Sequence, residues 1–209
     1  KRAEECGLLD VHVHDLRDYT EDKHRTVDDT PYGGGPGMVM KVEPLAKAVE
    51  AIATVPGRKV LYASPQGRPL TQAWAAELSK VPQLIVVAGR YEGVDERFVE
   101  GWVDESFSIG DYVLSGGELP TMILFETVAR LIPGVVGDWE SVTSDSFFDG
   151  GLKHPQYTRP PVFRGKEVPD VLRSGDHKAI ASWRSEMSDG RTKERRPDLW
   201  EKKGFEHQK

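Results

Sequence analysis

The sequence holds a single cysteine, Cys6, among 209 residues. A disulfide within the chain and a cysteine-based metal site are both excluded. Such sparing use of cysteine fits a reducing cytoplasm. No apolar run approaches the roughly 18 residues of a membrane-spanning helix. The opening Lys1-Arg-Ala-Glu-Glu-Cys6 lacks the apolar centre of a secretory signal. It also lacks Met and reads as the end of a helix, so the protein is expected to begin upstream. The six histidines do not make a zinc site. His12 and His14 are two apart, His24 sits in a polar loop, and His154, His177 and His207 are scattered, so the His-x-x-x-His spacing of a zinc hydrolase is missing. Ser64 and Ser115 lack the Gly-x-Ser-x-Gly elbow of a serine hydrolase. The glycine-rich run Tyr32–Gly37 is not followed by Gly-Lys-Ser/Thr and does not open a helix directly after a strand. It is neither a Walker loop nor a dinucleotide fingerprint. It reads as a plain turn, or as a segment needing positive φ or close backbone approach.

Positive charge is also scarce in total, with 28 Lys and Arg against 34 Asp and Glu and a net charge of −6. That argues against a general polyanion binder, but the distribution is uneven. Residues 1–150 hold 14 basic and 25 acidic residues, while residues 151–209 hold 14 basic and 9 acidic. An acidic body of −11 is followed by a basic region of +5. The asymmetry raises nucleic acid as a partner, and a solvated polar helix pair accounts for it equally well.

What is present alternates between strand and helix signals. Residues 9–14 alternate apolar and polar, a strand pattern. Residues 44–54 read as a helix with Pro44 in its first turn. The apolar run 59–63 enters a turn at Ser64-Pro65-Gln66-Gly67-Arg68. Thr71 can cap a helix running to about Lys80. A second apolar run, 83–88, ends in Gly89-Arg90-Tyr91-Glu92-Gly93, and a short helix follows from Asp95. Residues 103–109 alternate before Gly110-Asp111-Tyr112-Val113-Leu114-Ser115-Gly116-Gly117. Residues 118–132 form a helix closed by Pro133-Gly134. The order predicts an α/β fold with a mostly parallel sheet. Its apolar strands need cover on both faces. Turns 64–68, 89–93 and 109–117 then rim one pocket outside the carboxyl ends of the strands. Their glycines expose backbone groups and their tyrosines offer flat faces, which favours a nucleoside-bearing cofactor. Residues 138–150 are polar and aperiodic, as in a linker or lid. A helix runs from Asp176 to about Met187, and Lys and Arg dominate residues 191–203, which Pro197 interrupts.

Five segments occur here in one order: Asp28-Asp-Thr-Pro-Tyr-Gly-Gly-Gly-Pro-Gly-Met38, Ser64-Pro-Gln-Gly-Arg68, Gly89-Arg-Tyr-Glu-Gly-Val-Asp-Glu-Arg97, Ser108-Ile-Gly-Asp-Tyr-Val-Leu-Ser-Gly-Gly-Glu118 and Tyr157-Thr-Arg-Pro160. Together they resemble the bacterial tRNA (guanine-N1)-methyltransferases, the TrmD family of the SPOUT class, over nearly the whole chain. The first strand and Phe-Pro turn with which members of that family open are not in this sequence.

The resemblance implies a fold that the residues alone do not. SPOUT enzymes tie their later strands into a deep trefoil knot, against the general rarity of knots. It implies a knotted cofactor-binding catalytic domain over 1–137, an interdomain linker over 138–150 and a small, basic, helical tRNA-binding domain over 151–209. S-adenosyl-L-methionine would lie against Tyr62, Ala63, Ser64, Pro65 and Gln66, then Gly89, Arg90, Tyr91 and Glu92. Ile109, Gly110, Asp111, Tyr112, Val113, Leu114, Gly116 and Gly117 would complete its pocket, and S-adenosyl-L-homocysteine would be the product. The methyl acceptor would be N1 of guanosine at tRNA position 37, after another G, in the cytoplasm. Asp145 would be the general base and Arg130 the donor to O6. A magnesium ion (Mg2+) is a further candidate, with Glu92 as its ligand. Arg191, Lys193, Arg195 and Arg196 would contact tRNA phosphates. The resemblance also implies a homodimer with its site shared across subunits. Two alternatives stand beside this reading: a SPOUT enzyme acting on a ribose 2′-hydroxyl or another base, and a non-catalytic RNA- or nucleotide-binding module.

Overall fold

The apolar runs expected to be strands covered on both faces lie side by side in a parallel sheet. The structure, a computed structural model, describes residues 2–206, so His207 lies outside the described residues. In chain order the first unit carries α1 (Arg2–Glu5), β1 (Asp28–Asp29), β2 (Val39–Met40), α2 (Val42–Ala51), β3 (Lys59–Pro69) and α3 (Gln72–Leu78). It continues with β4 (Leu84–Val87), α4 (Glu96–Trp102), β5 (Glu105–Ser108) and α5 (Glu118–Ala129). This unit spans residues 1–137, and a second compact unit spans 138–209.

The three-stranded sheet has the order β4-β3-β5, with both neighbours parallel to β3. The chain therefore leaves β4 on one side of β3 and returns, through α4, as β5 on the other. Its register is pinned at one end by Asp104, whose carboxylate accepts the Val60 N–H at 2.6 Å and whose N–H donates to the Val60 carbonyl at 2.9 Å. Lys59 adds an ion pair to Glu105 at 2.5 Å.

Residues 64–68, expected to be a turn, belong to an irregular extension of β3. Ala63 and Arg68 both pair with Phe107, so the chain bulges away between them and returns to the same partner. Gly67 makes this possible. A Cβ there would strike the backbone of Ser106 and Phe107, so only glycine fits.

Alternation along β3 sends successive side chains to opposite faces. Val60 and Tyr62 join Ile85, Val87, Met40, Leu45, Val49 and Phe98 in one buried cluster. α2 supplies Leu45, Ala48 and Val49 at helical spacing. Trp102 stacks parallel on Phe98, with centroids 6.0 Å apart. α3 and α5 pack on each other and bury Trp74, Ala75, Leu78, Leu124 and Val128. Trp74, Phe98 and Phe107 are fully buried. Removing any of these rings costs about 3–5 kcal/mol.

One expectation fails here for a physical reason. Residues 9–14 alternate like a strand but form none. They pair with no strand, and Val13 is 93% exposed, so the ladder that would satisfy their backbone is missing. Residues 138–150 are not wholly irregular. They contain α6 (Trp139–Thr143), started by the Asp138 carboxylate accepting the Glu140 N–H. Five residues are too few to display a helical period.

The second unit continues with a hairpin of β6 (Val162–Phe163) and β7 (Lys166–Glu167). It ends in α7 (His177–Arg195) and α8 (Pro197–Glu206). α7 runs two turns beyond the expected end near Met187. Pro197 breaks the basic stretch as expected: α7 stops at Arg195, and the proline takes the first position of α8, where its missing N–H is harmless. Thr192 is fully buried, and its hydroxyl donates to the Ser188 carbonyl while accepting the Leu152 N–H at 2.9 Å. Ser188 donates to the Leu152 carbonyl at 2.6 Å. Residue 152 is thereby clamped to α7. Among the described residues no helix is long and apolar enough to cross a membrane.

Candidate active site

The carboxyl ends of β3, β4 and β5 open into one cavity of about 350 Å³ in the first unit. Tyr62, Ala63, Ser64, Pro65 and Gln66 line it from β3, and Gly89, Arg90, Tyr91 and Glu92 from the turn after β4. Ile109, Gly110, Tyr112, Val113, Leu114, Gly116 and Gly117 line it from the segment after β5. Of the expected cofactor residues only Asp111 is not in the lining, and it is exposed. The sequence reading missed Val94, Glu96, Val99, Phe107, Ser108 and Pro120, which also line it. Val94, Val99 and Phe107 carry no signal of a site, because their spacing is that of ordinary core residues. The Tyr32–Gly37 run stays outside the lining. Tyr32 is wholly exposed, and Gly37 at its end abuts the Glu92 side chain.

Hydrogen bonds knit the turns together. The Gly117 N–H donates to the Gly89 carbonyl at 2.7 Å. A Cβ on Gly117 would lie 2.8 Å from the backbone of Ala88 and Gly89, so a glycine is required for this approach. Arg90 Nε donates to Glu118 Oε1 at 2.6 Å, tying the second turn to the start of α5. Glu118 accepts its own backbone N–H and the Arg90 guanidinium, which hold its carboxyl below the ordinary range. Tyr91 sits at φ 60°, in the left-handed region. Such a conformation in a non-glycine residue costs of order 1–3 kcal/mol and concentrates at functional sites. Burial raises the Tyr62 phenol, which accepts the Val94 N–H.

The cavity combines exposed backbone groups, aromatic rings and two carboxylates, Glu92 and Glu96. That donor set suits an adenosine and a cationic centre in one ligand. Among the described residues no three His, Cys, Asp or Glu side chains are grouped to hold a metal ion.

Arg130 is the half-buried C-cap of α5. Asp145 belongs to the second unit, where Lys153 Nζ donates to its Oδ1 at 3.1 Å. Arg191, Lys193 and Arg195 lie on α7, and Arg196 caps it. They are not equivalent. Arg191 and Arg195 share a face at i and i+4, and Lys193 points away from it. Arg196 makes a two-pronged bond to Asp198 at 2.8 and 2.7 Å and stacks over Phe147 at 5.7 Å.

The family model described as tRNA (guanine-1)-methyltransferase TrmD matches residues 1–202. A tRNA (guanine-N(1)-)-methyltransferase of Aeromonas hydrophila is 58% identical over 200 residues, covering 95% of this chain and 80% of that protein. The enzyme of the same name from Alcanivorax borkumensis is 57% identical over 205 residues, 96% of this chain and 77% of the relative. That from Frankia casuarinae is 56% identical over 207 residues, 98% and 77% respectively. The chain belongs to the tRNA (guanine-1)-methyltransferase family.

Proposed function

We propose that this chain transfers a methyl group from S-adenosyl-L-methionine to N1 of guanosine 37 in tRNA, after a preceding G. The observation that carries the reading is the cavity lined by residues 62–66 of β3 and by the segments that follow β4 and β5. When bound, the cofactor supplies an electrophilic methyl on a sulfonium sulfur. The chain's own residues do the rest. Backbone of residues 62–66, 89–92 and 109–117 holds the nucleoside and the methionine arm, in a trefoil knot of the SPOUT type. Glu92 and Glu96 favour the cationic end.

Guanine N1 carries a proton and is a poor nucleophile until that proton leaves. Its loss places negative charge on O6. Asp145 takes the proton and Arg130 donates to O6. The acceptor lies in a single-stranded loop, where it can be turned out and read on its Watson–Crick edge. Lys and Arg of the basic region, including Arg191 and Arg195, meet the phosphates. The catalytic body occupies 1–137, and residues beyond 150 dock tRNA in the cytoplasm.

The protein acts as a homodimer with shared sites. α5 leaves Leu119, Met122, Ile123 and Phe125 exposed, a largely apolar surface on one helix. A helix of that kind normally lies buried.

The test uses labelled methyl transfer to a tRNA transcript carrying guanosine 37, and to its adenosine variant. Methylation at N1 of guanosine alone is expected. A label on ribose supports the 2′-hydroxyl alternative, and no transfer at all supports a binding module.

A further inference from the structure

Tyr157, which opens the segment Tyr157–Pro160, borders a concavity within the second unit. About 180 Å³ is enclosed in the second unit between residues 154–157 and α7. Val168, Leu172 and Ile180 contribute its apolar lining. Ile180 and Arg184 are one helical turn apart, so they face the same side of α7. Tyr157 forms a wall and is 48% exposed. Behind it stands Trp183, 6.3 Å from the Tyr157 ring and 6.4 Å from that of His154. The tyrosine ring thus leans on Trp183 at 54° and stays half exposed.

The rim is polar and uncommitted. His154 Nδ1 donates to the Pro155 carbonyl at 3.1 Å, which leaves Nε2 as the acceptor of the neutral ring. Among the described residues, the side chains of Gln156 and Arg184 make no hydrogen bond or ion pair. Residues 153–184 carry seven basic against three acidic side chains. A half-exposed aromatic ring, a few apolar side chains, edge-reading polar groups and an exposed guanidinium match one nucleotide of single-stranded nucleic acid.

We infer that this concavity is a nucleotide subsite for the tRNA substrate. A base stacks on Tyr157 with its edge toward His154 and Gln156, and Arg184 meets its phosphate. The inference rests on the reading of tRNA as substrate and adds a residue-level contact outside the basic strip of α7.

The experiment measures tRNA binding to the full chain across a salt series, with cofactor binding as the control for folding. Tyr157→Ala is expected to weaken tRNA binding roughly 5- to 100-fold and Tyr157→Phe by less than about twofold, with cofactor binding unchanged. Arg184→Gln should flatten the salt dependence. Normal tRNA binding by Tyr157→Ala overturns the subsite alone. Absence of tRNA binding by the unsubstituted chain overturns the substrate reading as well. Should Tyr157→Ala fail to fold, ultraviolet cross-linking of the unsubstituted chain decides. A nucleotide attached within the peptide bearing Tyr157 supports the subsite, and cross-links confined to other peptides overturn it.

Discussion

Lys153 Nζ stands 3.1 Å from Asp145 Oδ1 and 3.2 Å from Ser144 Oγ, so one half-buried ammonium holds both ends of a two-residue step. The same loop is closed by the Ser146 hydroxyl accepting the Lys153 N–H at 2.9 Å. If Asp145 is the base, Lys153 sets where its carboxylate points. Asp145→Asn should lower kcat about 10²- to 10⁴-fold and leave cofactor binding nearly intact. Lys153→Met should lower kcat roughly threefold to fivefold, with Lys153→Arg closer to the unsubstituted rate. Steady-state kinetics beside calorimetric cofactor titration checks both, and near-normal turnover of Asp145→Asn removes it as the base.

Gly117 offers a test confined to the cavity. The Cβ of Gly117→Ala meets the Ala88–Gly89 backbone, which cannot swing aside as a side chain can. The turn after β5 must move off the turn after β4. Cofactor affinity should fall roughly 5- to 100-fold while the circular dichroism spectrum stays unchanged. Unaltered affinity would show that the contact between these turns does not shape the pocket.

The pair Arg90–Glu118 carries a pH signature. Glu118 is held below its ordinary value of 4.5, first by its own N–H and then by Arg90. A depressed carboxyl contributes stability that is present above 4.5 and lost as pH falls through the folded value beneath it. The difference in Tm between the unsubstituted chain and Glu118→Gln should therefore be constant near neutrality and shrink on acidification below about pH 4.5. A difference that grows on acidification would refute the sign. Both side chains are about half exposed, so the effect should be small and should weaken with salt.

The basic strip of α7 separates into tiers. Arg195→Gln and Arg191→Gln should each reduce the slope of log affinity against log salt by roughly 0.7 to 0.9 if each contacts one phosphate. Arg196→Gln should change it less, because Asp198 already compensates that guanidinium. Equal slopes for all variants would remove the strip from the tRNA interface.

Much of this site was legible before any coordinates. The runs 59–63 and 83–88 are apolar without alternation, which only a doubly covered strand tolerates, and their carboxyl ends carry the glycine turns. Placing the turns on one rim followed from chain direction alone. The bulge of β3 did not show, because Ser64-Pro65-Gln66-Gly67 has the residue types of a turn and the reason for Gly67 lies some forty residues on, at Phe107. Nor did the failure of residues 9–14 to form a strand, since alternation says how a strand would face but not whether a partner exists. The pairing of Lys153 with Asp145 was hidden for the same reason: a loop without a period gives no rule for which of its side chains meet.

The position of β3 between β4 and β5 has a consequence for how the pocket comes into being. Its three walls arise from the middle strand and both of its neighbours, and residues 63 and 68 wait on Phe107 for their shared partner. A contiguous piece ending before β5 lacks the wall formed by residues 107–117. During synthesis the emerging chain gains nothing from the cofactor until the whole stretch from Lys59 to α5 has left the ribosome. Ligand-induced protection against proteolysis should therefore switch on in a single step of chain length rather than build up gradually.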